Sequence, residues 1–302
     1  MSSNVTERPK EFADVIGNKE TVAQLSAMLE GKKGSVPHCI LFSGPSGCGK
    51  TTLARIVADK IGCTEFDFKE YDVADNRGID TAREIKQTAH LKPMAGPVKV
   101  YLLDEVHKAT SDFQNAMLKI TEEPPAHVYF ILCTTEPDKL IKTLRNRCTA
   151  FTVSALPAKR IRLLLEKTAK KEGAEVSDDA FEMISENSEG SPRKALVIYD
   201  QIKVLDPEMQ EKAVSKVIKN DAAVIDLCRA LIGKPSWKTL SELIKGLDED
   251  PEKIRRAVLG YCTAVALNGD NKKAILVIEC FKDNFYDSGK AGLVYAAYQT
   301  IL

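Results

Sequence analysis

The chain has 302 residues, 44% hydrophobic and 28% charged, with 43 Lys plus Arg balanced by 43 Asp plus Glu. That length supports two or three domains with sizeable cores. A net charge of zero excludes a whole-molecule basic field for nucleic acid, so any DNA contact has to come from a local patch. No apolar run approaches the ~18–20 residues that span a bilayer, and the opening MSSNVTERPKEF has neither the apolar stretch nor the cleavage site of a signal peptide. A cytoplasmic chain without a membrane partner is expected. The eight cysteines form no C-x-x-C pair and only four histidines accompany them, which argues against zinc.

In chain order, short β-branched runs at 38–43, 66–72, 98–104, 128–134 and around 150–153 alternate with helical patterns. This predicts an α/β domain with a mostly parallel sheet. After the first run and a Gly-rich turn, Leu53, Ile56, Val57 and Ile61 recur at helical spacing, and Gly62 ends that helix. From Pro157 onward the pattern is helix after helix: a unit over 158–205, a break opened by Pro207, then amphipathic segments to the last residue. The expected domains are a nucleotide-binding α/β domain at 1–155, a small helical lid at 156–206 and an all-α collar at 207–302.

Gly44-Pro45-Ser46-Gly47-Cys48-Gly49-Lys50-Thr51 matches G-x-x-x-x-G-K-[ST] completely, between an apolar strand and a helix. Glycines let the backbone wrap a phosphate chain, and successive N–H groups with the helix N-terminus supply positive potential. Lys50 can then reach the β- and γ-phosphates and Thr51 can hold Mg²⁺, with Thr52 next to them. A second apolar run, Val100-Tyr101-Leu102-Leu103, ends in Asp104-Glu105. Beside the P-loop strand, Asp104 would serve Mg²⁺ and Glu105 would orient and deprotonate the attacking water. The cofactors expected are ATP and Mg²⁺.

Asp104-Glu105-Val106-His107, followed by Met117-Leu118-Lys119-Ile120-Thr121-Glu122-Glu123-Pro124-Pro125, resembles the bacterial clamp-loader motor subunits of the gamma/tau type. Replication factor C is a more distant relative of the same plan. The likeness runs from Arg8 to about Leu205. It implies an AAA+ ATPase with a five-stranded parallel sheet, a helical lid and a helical collar. It also implies that the chain works in a ring of other clamp-loader subunits, pentameric in the family, on a sliding clamp and primer–template DNA.

Residue by residue, the resemblance implies further roles. Arg8, Val15 and Ile16 fall in the N-terminal segment that lies against adenine and ribose. Thr135, or else Thr134, is the sensor at the end of the fourth strand. Arg147, in Arg145-Asn146-Arg147-Cys148, matches the arginine that reaches a neighbouring subunit's ATP, with Asn in place of the usual Ser. Arg193, in the first turn of a helix capped by Ser191 and opened by Pro192, is the second sensor. Arg77, Arg83 and Lys86 lie on the segment that tracks DNA phosphates in the family. That helix is expected to run on to Leu91-Lys92-Pro93-Met94, where Leu91 and Met94 are either clamp contacts or core.

The chain departs from the bacterial pattern in three places. The zinc-binding cysteine cluster between the two core motifs is missing, no extension follows the collar, and Glu7 stands where Tyr usually precedes Arg-Pro. A compact version, bacterial or from a phage-infected cell, is the expectation. Two rival readings fit parts of the same pattern. A helicase or branch-migration type of ring motor would call for a basic winged-helix domain at the C-terminal end. A non-hydrolysing structural subunit is opposed by the intact Lys50, Thr51, Asp104 and Glu105.

Overall fold

The computed structural model describes residues 8–31, 36–233, 235–267, 269 and 271–301, so Glu7 lies outside the described residues. The described residues up to Gln210 form one compact unit and those from Glu211 onward a second.

The first unit begins with a helix, α1 (Lys19–Glu30), and then alternates strand and helix: β1 (Cys39–Ser43), α2 (Lys50–Lys60), β2 (Cys63–Asp72), α3 (Ile79–Ala89), β3 (Val98–Asp104), α4 (Ser111–Glu122), β4 (Val128–Thr134), the short α5 (Lys142–Arg145) and β5 (Thr149–Thr152). The strands form one sheet in the order β2-β3-β4-β1-β5, and every pairing is parallel. Helices cover both faces, so the central strands are apolar on alternate sides and read as continuous hydrophobic runs. One face packs Leu41, Tyr101, Leu103, Phe130 and Leu132 against Ile85, Phe113 and Met117. The other packs Ile40, Phe42, Leu102, Ile131 and Cys133 against Leu25, Leu53 and Val57.

The predicted strands at 98–104 and 128–134 match β3 and β4 at both ends. β2 starts three residues before its predicted position, because its first pairing, Cys63 with Val98, is separated from the rest by a register shift. α3 stops at Ala89 with His90 as C-cap, short of the expected Leu91–Met94. Leu91 and Met94 are 61% and 79% exposed, so neither is core.

Three helices complete the first unit: α6 (Ala158–Glu172), α7 (Asp178–Asn187) and α8 (Pro192–Ile202). Their ends carry sequence signals. Gly173 closes α6 in the left-handed conformation (φ 66°), which costs glycine little. The Ser177 hydroxyl accepts Ala180 N–H at 3.2 Å and caps α7.

Pro207 opens the next helix, α9 (Pro207–Ile232), and the boundary between the two units falls inside it. The second unit continues with α10 (Trp237–Gly246), α11 (Pro251–Leu267), α12 (Lys272–Cys280) and α13 (Gly289–Gln299). Its core gathers Leu227, Leu231, Leu240, Val258, Val277, Phe281 and Leu293. The buried Glu252 carboxylate is satisfied there by Arg255 Nε at 2.8 Å, Arg255 Nη2 at 2.7 Å and Phe285 N–H at 2.9 Å. Among the described residues, no helix is long and apolar enough to cross a membrane.

Candidate nucleotide site

Parallel α/β sheets collect ligands at the carboxyl ends of their strands, and there the loop after β1 folds back between β5 and α8. Two of its glycines are dictated by close approach. A Cβ on Gly44 (φ 149°) would lie 1.9 Å from the Val153 carbonyl oxygen, and one on Gly47 (φ 71°) would lie 2.4 Å from Ser191 Oγ. Gly44 N–H donates to Thr134 O at 3.2 Å, so the start of the loop is tied to the tip of β4. Cys48 is buried, and burial pushes its thiol pKa up against the opposing effect of Lys50.

Lys50, the first residue of α2, is 5% exposed. Its ammonium donates to Gly44 O at 2.8 Å and Pro45 O at 2.9 Å, and pairs with no carboxylate among the described residues. A buried cation satisfied only by carbonyls is a fitting partner for a phosphate chain. Thr51 Oγ1 donates to Asp104 Oδ2 at 2.8 Å. Neighbouring ligands of octahedral Mg²⁺, each at ~2.1 Å, stand ~3 Å apart, so these two hard oxygens suit that ion.

β3 delivers Asp104 at its last position. The next residue, Glu105, turns into the left-handed region at φ 53°, which costs a non-glycine about 1–2 kcal/mol. The turn is held by Glu105 N–H donating to Asp104 Oδ1 at 2.9 Å and by Lys108 N–H donating to Glu105 O at 2.9 Å. The result points Asp104 and Glu105 into the same cavity as Lys50 and Thr51.

That cavity holds about 350 Å³, within the range of small-molecule sites. Ser46, Gly47, Cys48, Gly49 and Thr52 line it from the loop and α2. Arg8, Val15 and Ile16 line it from the N-terminal segment, and Arg193 from the first turn of α8. α8 is capped as expected, with Ser191 Oγ accepting Lys194 N–H at 3.3 Å. Positive charge in a first helical turn opposes the helix dipole by some tenths of a kcal/mol, a cost an anion in the cavity would reverse.

The remaining candidates lie elsewhere. Thr135 is half-buried just beyond β4 and does not line the cavity. Its neighbour Thr134 is wholly buried, and its hydroxyl accepts Glu136 N–H at 3.0 Å and faces His107 Nδ1 at 3.3 Å. Arg147 is also outside the cavity, with Nη1 donating to Thr143 O and Nη2 to Glu122 Oε2, each at 2.8 Å. Its Nε is buried without a partner among the described residues. Arg77, Arg83 and Lys86 are exposed along α3 and the turn before it, and Arg83 pairs with Asp80 at 3.0 Å.

Sequence reasoning missed several lining residues. Asp72 closes β2 in register with Asp104; the available signal was a second acidic residue ending a predicted strand. Asn18 also lines the cavity, and its amide exchanges hydrogen bonds with Ser154, donating to O at 3.2 Å and accepting from N at 2.8 Å. Leu164 of α6 and Leu196 of α8 add an apolar wall suited to a base.

In sequence the chain is similar to subunits of DNA polymerase III, and in fold to a branch migration motor. The family model described as DNA polymerase III, delta subunit matches residues 69–157. DNA polymerase III subunit gamma/tau of Mycobacterium bovis is 36% identical over 218 residues, covering 65% of this chain and 37% of that protein. DNA polymerase III subunit tau of Bacillus subtilis is 33% identical over 315 residues, covering 91% and 54%. DNA polymerase III subunit gamma of Buchnera aphidicola is 31% identical over 285 residues, covering 87% and 74%. The chain therefore spans little more than a third of the mycobacterial relatives' length. Among solved structures, the RuvB Holliday junction branch migration motor of Thermotoga maritima superposes with a TM-score of 0.60 at 21% identity, over 80% of this chain and 86% of that one. Identity that low shows a shared fold alone. On its likeness to the bacterial relatives, which extends over most of its length, the chain belongs to the family of DNA polymerase III gamma/tau subunits.

Proposed function

We propose that this chain is an ATPase motor subunit of a sliding-clamp loader. In this reading, ATP binding lets its assembly open the clamp on primer–template DNA, and hydrolysis releases both. The observation behind it is the meeting of Lys50, the Thr51–Asp104 pair and Glu105 in one cavity, in a chain of this family.

Each residue has a separate task. Lys50 would exchange its two carbonyl partners for phosphate oxygens, and the N–H groups from Gly47 to Thr51 would bind the chain of phosphates at the start of α2. Thr51 and Asp104 would hold Mg²⁺, which supplies charge neutralisation to the β- and γ-phosphate oxygens. Glu105 would orient a water and take its proton. Arg193 would meet the γ-phosphate from the lid side, and Thr135, or else Thr134, would serve as the sensor by an approach of the β4 tip to the cavity they do not line here. Arg147 lies away from its own cavity and would serve a neighbour in the ring, which by family resemblance is pentameric and includes other clamp-loader subunits. Arg77, Arg83 and Lys86 would track the phosphates of primer–template DNA. The working domains would be 1–155, 156–206 and 207–302, in a cytoplasmic assembly.

The test is ATP turnover by the chain assembled with its ring partners, with and without clamp and primed DNA. Turnover stimulated by both together is the expected result. Turnover indifferent to both would leave an ATPase without the loading function, and no turnover would remove the enzyme reading.

A further inference from the structure

His107 has no part in the chemistry above, yet its side chain is only 6% exposed and stands between two strand tips. Glu105 follows β3, and Thr134 and Glu136 stand at the end of β4. Thr134 Oγ1 already accepts Glu136 N–H at 3.0 Å, so its own proton can go to His107 Nδ1, 3.3 Å away. In the neutral ring this leaves the proton on Nε2. Nε2 is 3.5 Å from Glu105 Oε2 and 3.4 Å from Glu136 Oε1. Nε2 thus lies nearly midway between two carboxylates, a few tenths of an ångström beyond a closed hydrogen bond to either.

The surrounding charges are Lys108, 3.9 Å from Glu105 Oε2, and Lys139, 2.9 Å from Glu136 Oε2. Burial lowers the imidazole pKa, the carboxylates of Glu105 and Glu136 work against that, and Lys108 and Lys139 add to it. The net shift is downward, so the ring is neutral near pH 7.

We infer that His107 is a positioning residue, one that aims the Glu105 carboxylate by giving its Nε2 proton to that group in competition with Glu136. The inference rests on the reading of Glu105 as general base. Closing the 3.5 Å gap from Nε2 to Oε2 would fix one oxygen of Glu105 and leave Oε1 to take the proton of the attacking water. Glu136 directly follows the Thr134-Thr135 pair, so movement of the β4 tip changes how much of the Nε2 proton Glu105 receives. A protonated ring would grip both carboxylates and make Glu105 a poorer base, so turnover should fall on the acid side.

The experiment is kcat against pH, with nucleotide affinity measured separately by a fluorescent ATP analogue, in the full chain within its assembly. His107→Ala should lower kcat by about ten- to a hundredfold, the scale of a misaimed catalytic group, while affinity changes less than threefold. His107→Gln keeps an N–H donor and cannot titrate, so it should regain activity over His107→Ala and lose the acid limb. Glu136→Gln is at an exposed site and decides the matter even if His107→Ala does not fold. Removing that carboxylate lowers the imidazole pKa, so the acid limb should move to lower pH. An unmoved acid limb in Glu136→Gln, or no gain from His107→Gln over His107→Ala, would overturn the inference. Glu105→Gln run alongside separates the two readings. If it still turns over ATP, the base assignment fails; if it is dead while His107→Ala matches wild type, the positioning role alone fails.

Discussion

The hydroxyl of Thr51 donates to Asp104 Oδ2 at 2.8 Å, which ties the first turn of α2 to the tip of β3. Two residues 53 positions apart in the chain are thereby brought within the span of one small divalent cation. Replacing Thr51 by Val keeps the side-chain shape and removes the oxygen. Turnover should fall about 10–100-fold, the usual scale when a group that supports a bound metal is removed, and the Mg²⁺ concentration at half-maximal rate should rise. An unchanged Mg²⁺ titration would take Thr51 out of the ion site.

Arg147 reaches Thr143 O and Glu122 rather than its own cavity. Arg147→Ala should therefore leave ATP binding intact while the assembled ring loses turnover, by as much as ~10³-fold if the guanidinium acts only in the transition state. Mixing that variant with Lys50→Ala should recover some turnover, because the second protein lends its arginine to the first protein's nucleotide. Native mass spectrometry checks that mixed rings form. Mixed rings as inactive as either parent would rule out action in trans.

Arg83 and Lys86 stand three apart on α3 and share a face. If they meet DNA phosphates, Arg83→Ala with Lys86→Ala should weaken primed-DNA binding and lower the log–log salt slope by ~0.7–0.9 for each phosphate no longer neutralised. A slope equal to wild type would mean both charges face only solvent and Asp80.

Asp67 is fully buried and accepts N–H groups from Met94 at 2.6 Å and from Ala95 and Gly96 at 2.9 Å, with the Thr64 hydroxyl at 3.0 Å. Burial alone would raise its pKa, but these donors together hold the carboxyl well below the usual range. Its contribution to stability is complete above the unfolded carboxyl value of about 4 and is lost as pH falls from there toward the native value. Asp67→Ala should cost about 1–3 kcal/mol by removing hydrogen bonds to a charged group and should flatten the acid side of the stability curve. Urea unfolding at pH 7 and below pH 4 reads both effects; an equal loss at the two pH values would contradict the assignment.

How much of this was legible in the sequence depended on burial. β3 and β4 are central strands covered on both faces, so their apolar runs mark their own ends. β2 is an edge strand with most positions partly exposed and an irregular register near Cys63, and its polar start carries no apolar signal. The phosphate loop and Asp104-Glu105 were readable because local spacing dictates their chemistry. Asn18, Leu164 and Leu196 were not, because they join the cavity only after segments distant in the chain pack together, whereas Asp72 carried a signal as an acidic residue ending a predicted strand. The meeting of His107 with Glu136 was hidden for the same reason: its partners come from two different strand ends.

The most direct test of the motor reading is clamp transfer to primed DNA by assemblies carrying Lys50→Ala or Glu105→Gln. Lys50 is buried beside the loop carbonyls and Glu105 faces the cavity from β3, so one variant should lose nucleotide binding and the other only the handling of water. Lys50→Ala should then form no clamp–DNA complex, while Glu105→Gln should bind ATP, gather clamp and primed DNA, and fail to release them. Wild-type rates of clamp transfer by the Glu105→Gln assembly would contradict the account.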